Sequence, residues 1–222
     1  LESIEQALAE VKNVLPELSK FTLKPRVGIM YMRSADVQTY QEQGPPRGIA
    51  GQWEAVRMDI GLMHGPDSIK GAHNLINGSY NPVTILFEQQ LEKGAPDVDV
   101  LLIPNPYLLT EMQVHHLLQF VEKGGTLITE SRFGSKNENG HLHPRPLLEK
   151  LFGVIHERTD VIDSTLAIQG DVAGQAYGFR DIVNSWMGNI AFFPDGAPAL
   201  IARRIGHGRA LFATFSLFIS LL

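Results

Sequence analysis

The sequence DVLLIP at residues 99–104 begins the stretch that decides the fold class, and TLIT at residues 126–129 ends it. Both segments predict short β-strands, and the first has the apolar character of a strand buried in a parallel sheet. Between them, Thr110 and Gln113 have the spacing of a helix-capping box, and the predicted helix stops at the glycine pair 124–125. The order strand, helix, strand therefore predicts a parallel unit with a right-handed crossover.

The same alternation continues toward the N-terminus. Residues 26–31 and 82–87 predict two more strands, and residues 68–77 predict a helix that Ser68 caps. Together these elements predict a mostly parallel sheet with helices on both faces. After residue 150 the pattern changes, and antiparallel strands that extend or cover the sheet are expected, with a hairpin turn at Gly206-His207-Gly208. These strand-like runs span 154–169, 176–182, 189–193, 199–205 and 209–215.

The first 20 residues predict an amphipathic helix over 3–19. Ser3 and Gln6 have the capping-box spacing, and Pro16 should kink the last turn. This helix needs a partner surface, either on its own domain or on a missing neighbour. Its apolar stripe consists of Ile4, Leu8, Val11, Leu15 and Leu18.

Residues 33–66 predict a long polar loop. A short helix can fit between Trp53 and Met63. Loops of this length in a compact domain are usually functional or interaction elements.

Composition excludes several classes of function. The 222 residues include no cysteine, which removes disulfides, thiolate metal sites and cysteine nucleophiles. A net charge of −5 argues against nucleic acid as a partner, and no apolar run is long enough for a membrane span. We therefore predict no nucleic-acid and no membrane partner, and we take the cytoplasm as the expected compartment. Because the chain starts without methionine and ends on the apolar segment 217–222, both ends are expected to be cuts within a longer polypeptide.

Several segments together resemble one known family. They are the strand at 99–104 ending in proline, VEKGGTL at residues 121–127, SRFG at 131–134 and the segment 146–154. In this order they resemble the middle, trimerisation domain of family 42 β-galactosidases. The likeness is clear over residues 98–154, and the strand VGIMY at 27–31 also fits. The wider class of amidotransferase-like domains shares much of this pattern.

The resemblance implies a class I glutamine-amidotransferase-like (flavodoxin-like) fold without the amidotransferase reaction. It also implies a neighbouring barrel that hydrolyses glycosides, as a missing catalytic domain of the same chain, and a role in self-association as a trimer or dimer. In this interpretation residues 1–20 form a linker helix, and residues 21–222 form the amidotransferase-like domain. The chain itself is then a non-catalytic accessory and oligomerisation domain.

An enzymatic role for the chain alone finds weak support in the residues. An amidotransferase needs an activated thiolate, and Ser131 could replace it only at a sharp elbow flanked by small residues. Thr129 and Phe133 occupy those flanking positions. A glycosidase needs two carboxyl groups across the sugar; Asp36 and Glu88 could converge on Glu130, but loop capping and pairing with arginine are the favoured interpretation. We therefore predict no catalytic residue.

Metal binding has a similarly weak basis. His141 and His143 could hold a metal with Glu130 or Glu138, but a His-x-His pair in a loop is more often an ordinary surface feature. His156 and Glu157 superficially resemble the base pair of amidotransferases, but they lie in a strand-like run and have no nucleophile to serve. We therefore predict no metal and no cofactor.

A polar crevice at the carboxyl edge of the sheet remains as a candidate binding site, since ligands of open α/β sheets bind at this edge. It could bind a carbohydrate, line a neighbouring active site, or consist of hydrated loop residues. The alternatives to an association domain are a free-standing sugar-binding or sugar-utilisation protein of the same fold and a hydrolase that uses Ser131 or a metal. Candidate contact surfaces are the stripe of the first helix, the Trp53 segment and the apolar C-terminus. The crevice residues are Arg33, Asn105, Tyr107, Glu130, Ser131 and Arg132.

Overall fold

A computed structural model describes residues 2–18, 20, 24–43, 64–79, 81–142, 146–185 and 188–221. The helices are α1 (Glu2–Leu18), α2 (Arg33–Gln43), α3 (His64–Asn77), α4 (Glu88–Lys93), α5 (Glu111–Glu122) and α6 (Pro146–Phe152), with a 3₁₀ turn at Ile219–Leu221. The strands are β1 (Val27–Tyr31), β2 (Val83–Phe87), β3 (Val100–Ile103), β4 (Thr126–Thr129), β5 (Val154–Gly170), β6 (Gly174–Ser185), β7 (Asn189–Phe192), β8 (Pro198–Ile205) and β9 (Gly208–Ala213).

The strands form a nine-stranded sheet in the order β2-β1-β3-β4-β9-β8-β7-β5-β6. Strands β2, β1, β3, β4 and β9 run parallel to one another. Strand β8 pairs antiparallel with β9, and β7, β5 and β6 continue the sheet in antiparallel pairs. The predicted α/β sheet, parallel first and antiparallel toward the C-terminus, is confirmed. The carboxyl ends of β3 and β4 lie side by side, which places the loops after them at one edge.

Two features that the sequence predicted from neighbouring residues alone are present in the structure. The Gln113 amide donates to Thr110 Oγ1 at 3.1 Å, and the Thr110 amide donates to Gln113 Oε1 at 3.0 Å, which is the predicted capping box of α5. The hairpin between β8 and β9 turns at Gly206 and His207. There Gly206 has a φ of +56°, a conformation that glycine adopts without steric cost.

Apolar side chains cover both faces of the parallel part of the sheet. On one face, Met30, Leu101 and Leu127 pack with residues of α5 and α6. Aromatic contacts extend this cluster: the Phe152 ring stacks on Phe212 with centroids 5.0 Å apart. The opposite face is covered by α3 and the C-terminal turn, through Val27, Ile29, Leu102, Ala72, Ile76 and Phe218.

The apolar C-terminus is buried within its own domain. Phe218 is fully buried and Ile219 is 4% exposed. A Cβ added to Gly71 of α3 would lie 1.7 Å from the Phe218 carbonyl oxygen, so the helix backbone and the C-terminal turn touch directly. Phe218 and Ile219 are therefore not part of a free contact surface, which is the role that the sequence analysis considered for the apolar C-terminus.

The described parts of the segment 33–66, which was predicted as a long polar loop, are helical. Residues Arg33–Gln43 form α2, whose sequence RSADVQTYQEQ has too few apolar residues to show a helical stripe. Helix α3 begins at His64, so Ser68 lies inside the helix and does not cap it. The short helix expected between Trp53 and Met63 falls outside the described residues.

Helix α1 presents apolar side chains to solvent. It begins at Glu2, one residue before the predicted cap Ser3, and continues through Pro16 to Leu18. At least half of the side chain is exposed at Ile4, Val11, Val14 and Leu15. Within the described ranges, no helix is long and apolar enough to cross a membrane.

Candidate functional site

Two strained turns define the carboxyl edge of β3 and β4. Asn105 lies two residues after β3 with a φ of +48°, and Arg132 lies three residues after β4 with a φ of +63°. Left-handed backbone is unfavourable for residues with a Cβ, although asparagine tolerates it better than most. Such strain persists only where the surroundings hold it in place, so both turns indicate a strongly determined local structure.

Glu130 ties three chain segments together beneath this edge. Its side chain is fully buried. The Asn105 amide donates to Oε1 at 2.7 Å, and the Phe218 amide donates to Oε2 at 2.9 Å. Desolvation by burial raises the pKa of Glu130 to about 7, although the two backbone hydrogen bonds and nearby Arg132 lower it in part. This carboxyl group is therefore partly protonated near neutral pH.

The guanidinium of Arg132 is enclosed by aromatic rings. It lies 4.2 Å from the Tyr107 ring centroid and 4.1 Å from that of Phe179. Nη2 donates to Asn105 Oδ1 at 3.0 Å, which links the two strained turns through their side chains. Cation–π contacts gain strength when they are shielded from water, as they are for this 6%-exposed residue.

Asp181 of β6 anchors the Arg132 turn from the antiparallel half of the sheet. Its Oδ2 accepts from the Arg132 amide at 2.7 Å, and its Oδ1 accepts from Thr159 Oγ1 at 2.6 Å. His156 Nε2 lies 3.4 Å from the same Oδ1. His156 thus belongs to this anchor, whereas Glu157 accepts separately from Asn184.

Toward solvent, the network ends at Asp36 of α2. Asn105 Nδ2 donates to Asp36 Oδ1 at 3.1 Å. Desolvation raises the pKa of Asp36, while hydrogen bonds with Asn105 and Tyr31 lower it. Desolvation is the main cause that raises the pKa of Tyr31, and the charge of Asp36 raises it further. The other predicted carboxylate, Glu88, instead caps α2 by accepting from the Ser34 amide at 3.2 Å.

The structure brings together most of the residues predicted for the crevice. Asn105, Tyr107, Glu130, Ser131 and Arg132 are each at most 8% exposed. Arg33, at the start of α2, is exposed. The residues that sequence reasoning missed are Phe179, Asp181 and Phe218, which come from distant strands or the C-terminus and carry no local signal.

The geometry also bears on the catalytic alternatives. The Ser131 hydroxyl is buried and lies 3.4 Å from the Ser216 hydroxyl, which cannot act as a general base. The strained position that a nucleophile elbow would require belongs to Arg132. His141 is exposed, and His143 falls outside the described residues. No group of histidine, aspartate and glutamate that could hold a metal occurs among the described residues.

Comparisons with solved structures show the same fold in larger proteins. The chain superposes on a catalytic mutant of Gan42B, a GH42 β-galactosidase from G. stearothermophilus, with a TM-score of 0.72 and 18% identity, covering 96% of this chain and 31% of that one. For a cold-adapted β-galactosidase from Rahnella sp. R3, the TM-score is 0.69 at 16% identity, covering 98% and 33%. The exo-β-1,4-mannosidase Op5Man5 from Opitutaceae bacterium strain TAV5 gives 0.59 at 16% identity, covering 98% and 34%.

These neighbours are about three times as long as the chain, which spans roughly a third of each. A comparison with curated protein sequences finds no match. The model of the β-galactosidase trimerisation domain matches residues 90–218, which run from α4 to the C-terminal turn and include both strained turns. Because this match covers more than half of the sequence, the chain belongs to the β-galactosidase trimerisation domain family.

Proposed function

We propose that this chain is the non-catalytic accessory and oligomerisation domain of a β-galactosidase-like glycoside hydrolase. The observation that carries the proposal is the family match over residues 90–218. The GH42 neighbours are longer chains that this one covers only in part, and this supports a catalytic domain in the same polypeptide. Self-association as a trimer follows from the description of the family.

The polar residues at the carboxyl edge support a structural role for that edge. Glu130 accepts two backbone amides, and the Arg132 guanidinium is enclosed between two rings. Both oxygens of Glu130 and Nη2 of Arg132 form hydrogen bonds within the protein, as expected of a scaffold that fixes loop positions. We propose that the network holds the edge rigid for contact with neighbouring domains.

We also propose that the domain has the class I glutamine-amidotransferase-like fold. A parallel β2-β1-β3-β4 sheet with strained turns after β3 and β4 supports the amidotransferase-like class. Its elbow position after β4 carries Arg132 where a nucleophile would be needed, which fits a domain without the amidotransferase reaction. We further propose that residues 1–20 are a linker helix whose exposed apolar stripe packs on the neighbouring domain, and that residues 21–222 form the domain itself.

Light scattering across a concentration range tests the proposed association directly. A stable trimer of the isolated chain is the expected result. Removal of residues 1–20 should leave the trimer unchanged, because the partner proposed for the apolar side chains of α1 is the neighbouring domain. The free energy of unfolding should also stay the same, because Ile4, Val11, Val14 and Leu15 are exposed. A strict monomer at every concentration would contradict autonomous trimerisation.

A further inference from the structure

Asparagine followed by glycine occurs at two places in this chain, Asn77-Gly78 and Asn139-Gly140. In such a pair the glycine backbone nitrogen can attack the asparagine Cγ, because no Cβ on the glycine hinders the approach. The new N–Cγ bond closes a succinimide ring, and the Cγ–Nδ2 bond breaks. Nδ2 leaves with the amide proton as ammonia. Water then opens the ring to aspartate or isoaspartate, so the reactivity of each pair depends on how freely its glycine can move.

The pair at 139–140 is held by its surroundings. The Gly140 amide donates to the Asn137 carbonyl at 2.9 Å, and Gly140 has a φ of +73°. Oδ1 of Asn137 accepts from the Asn139 amide at 3.0 Å and from the His141 amide at 3.1 Å. A Cβ added to Gly140 would lie 2.6 Å from Gln38 Oε1, so a side chain of α2 packs against this turn. The attacking nitrogen is therefore engaged, and the turn around it is fixed.

The pair at 77–78 lies at a helix end and is open. Asn77 is the last residue of α3, and both Asn77 and Gly78 are exposed. No atom of the described residues lies within 4 Å of a Cβ added to Gly78. Helix ends fray, and such local opening has a low free-energy cost. When the last turn of α3 opens, the Gly78 nitrogen can reach the side chain of Asn77.

We propose that Asn77 is a site of spontaneous deamidation, at which the Gly78 nitrogen displaces ammonia and water then leaves aspartate or isoaspartate. Either product places a negative charge at the C-terminus of α3, where the helix dipole disfavours it. Isoaspartate also lengthens the backbone beside Ser79, whose amide and hydroxyl both donate to the Ile76 carbonyl, at 2.8 and 2.7 Å. Because Ile76 belongs to the core beneath α3, the modification should loosen the junction of α3 and β2. The inference does not depend on the proposed function.

The test is a time course of the folded, full-length chain in mildly alkaline buffer, which favours attack by the amide nitrogen. Peptide mapping by mass spectrometry, with synthetic aspartate and isoaspartate standards, measures amide loss at Asn77 and Asn139. Asn81 is an internal blank, because Pro82 has no N–H with which to attack. The same time course in urea gives both rates without the fold. Gly78→Ala is the matched variant, and circular dichroism reports its folding.

In the folded chain, Asn77 should lose its amide at least about fivefold faster than Asn139, which corresponds to the ~1 kcal/mol net value of the hydrogen bond that holds Gly140. In urea the two rates should converge, because nothing then holds Gly140. Gly78→Ala should keep the Asn77 amide several-fold longer. Equal rates at both sites in the folded chain would overturn the inference. So would an Asn77 that stays intact in the folded chain while it reacts in urea.

Discussion

At the scale of single residues, the two strained turns and the buried carboxyl group depend on one another. Asn105 and Arg132 each adopt a backbone conformation that costs about 1–3 kcal/mol. Glu130 fixes the first turn through the Asn105 amide, and Asp181 fixes the second through the Arg132 amide. The side chains of Asn105 and Arg132 then bind each other. The strain is thus offset by buried hydrogen bonds that the same turns create.

The raised pKa of Glu130 predicts a pH-dependent stability. Its pKa is about 7 in the folded chain against an ordinary value of 4.5, so between these pH values the folded state binds more protons than the unfolded state. Stability should therefore fall as pH rises from about 4.5 to 7, by up to about 3 kcal/mol, and level off above. Urea unfolding of the wild-type chain and of Glu130→Gln at several pH values measures this difference.

The comparison with Glu130→Gln isolates this one group. Glutamine does not ionise, so the advantage of the wild-type chain over the variant should shrink steadily across the window. Other titrating groups, including Asp36 with its own raised pKa, act in both proteins and largely cancel in the difference. Parallel stability curves for the two proteins would show that Glu130 titrates normally.

Arg132→Lys tests the enclosure of the guanidinium. Lysine keeps the charge but has no planar group to stack between Tyr107 and Phe179, and it cannot reproduce the guanidinium hydrogen-bond geometry toward Asn105. The variant should lose about 2 kcal/mol of the free energy of unfolding. Arg33→Lys serves as the control, since Arg33 is exposed. Equal stability of both variants would contradict a structural role for Arg132.

At the scale of elements, the backbone of α3 at Gly71 contacts the backbone of Phe218 directly. Glycine to alanine inside a helix normally stabilises by about 1 kcal/mol. In Gly71→Ala the new methyl group would meet the Phe218 carbonyl, so the variant should instead lose at least about 2 kcal/mol. Gly78→Ala is the control, because no atom lies within 4 Å of its added Cβ. Thermal unfolding of both variants checks the sign.

Elements with strong local signals were predictable from the sequence. The capping box of α5 and the turn at Gly206 and His207 depend on neighbouring residues alone, and both are confirmed. Helix α2 was missed because its polar sequence gives no apolar period. The place of β9 between β4 and β8 was also not predictable, since strand pairing between distant segments leaves no mark in either strand.

The candidate site, like the fold, could be predicted from the sequence only in part. Asn105 and Glu130 follow predicted strands, so their meeting at one edge could be foreseen. Their main partners could not, because the Phe218 amide comes from the end of the chain and the Asp181 carboxylate comes from the antiparallel half.

At the scale of the whole molecule, the isolated chain should neither hydrolyse a β-galactoside nor bind galactose. Its described carboxyl groups at the carboxyl edge are engaged within the protein, and the Ser131 hydroxyl is buried. A chromogenic galactoside assay and calorimetric titration with galactose are the measurements. Binding heat that disappears in Arg33→Ala would restore the sugar-binding alternative, because Arg33 is the exposed member of the predicted crevice.

The position of β9 has a consequence for the order in which the protein is made. Strand β4 pairs with β3 early in the chain, but its other neighbour, β9, comes from residues 208–213. While the ribosome is still translating the second half, the inner edge of β4 has no partner, and the sheet cannot be completed. The nascent domain therefore closes only when its last strand emerges, and until then the unpaired edge of β4 is open to chaperones or to wrong partners.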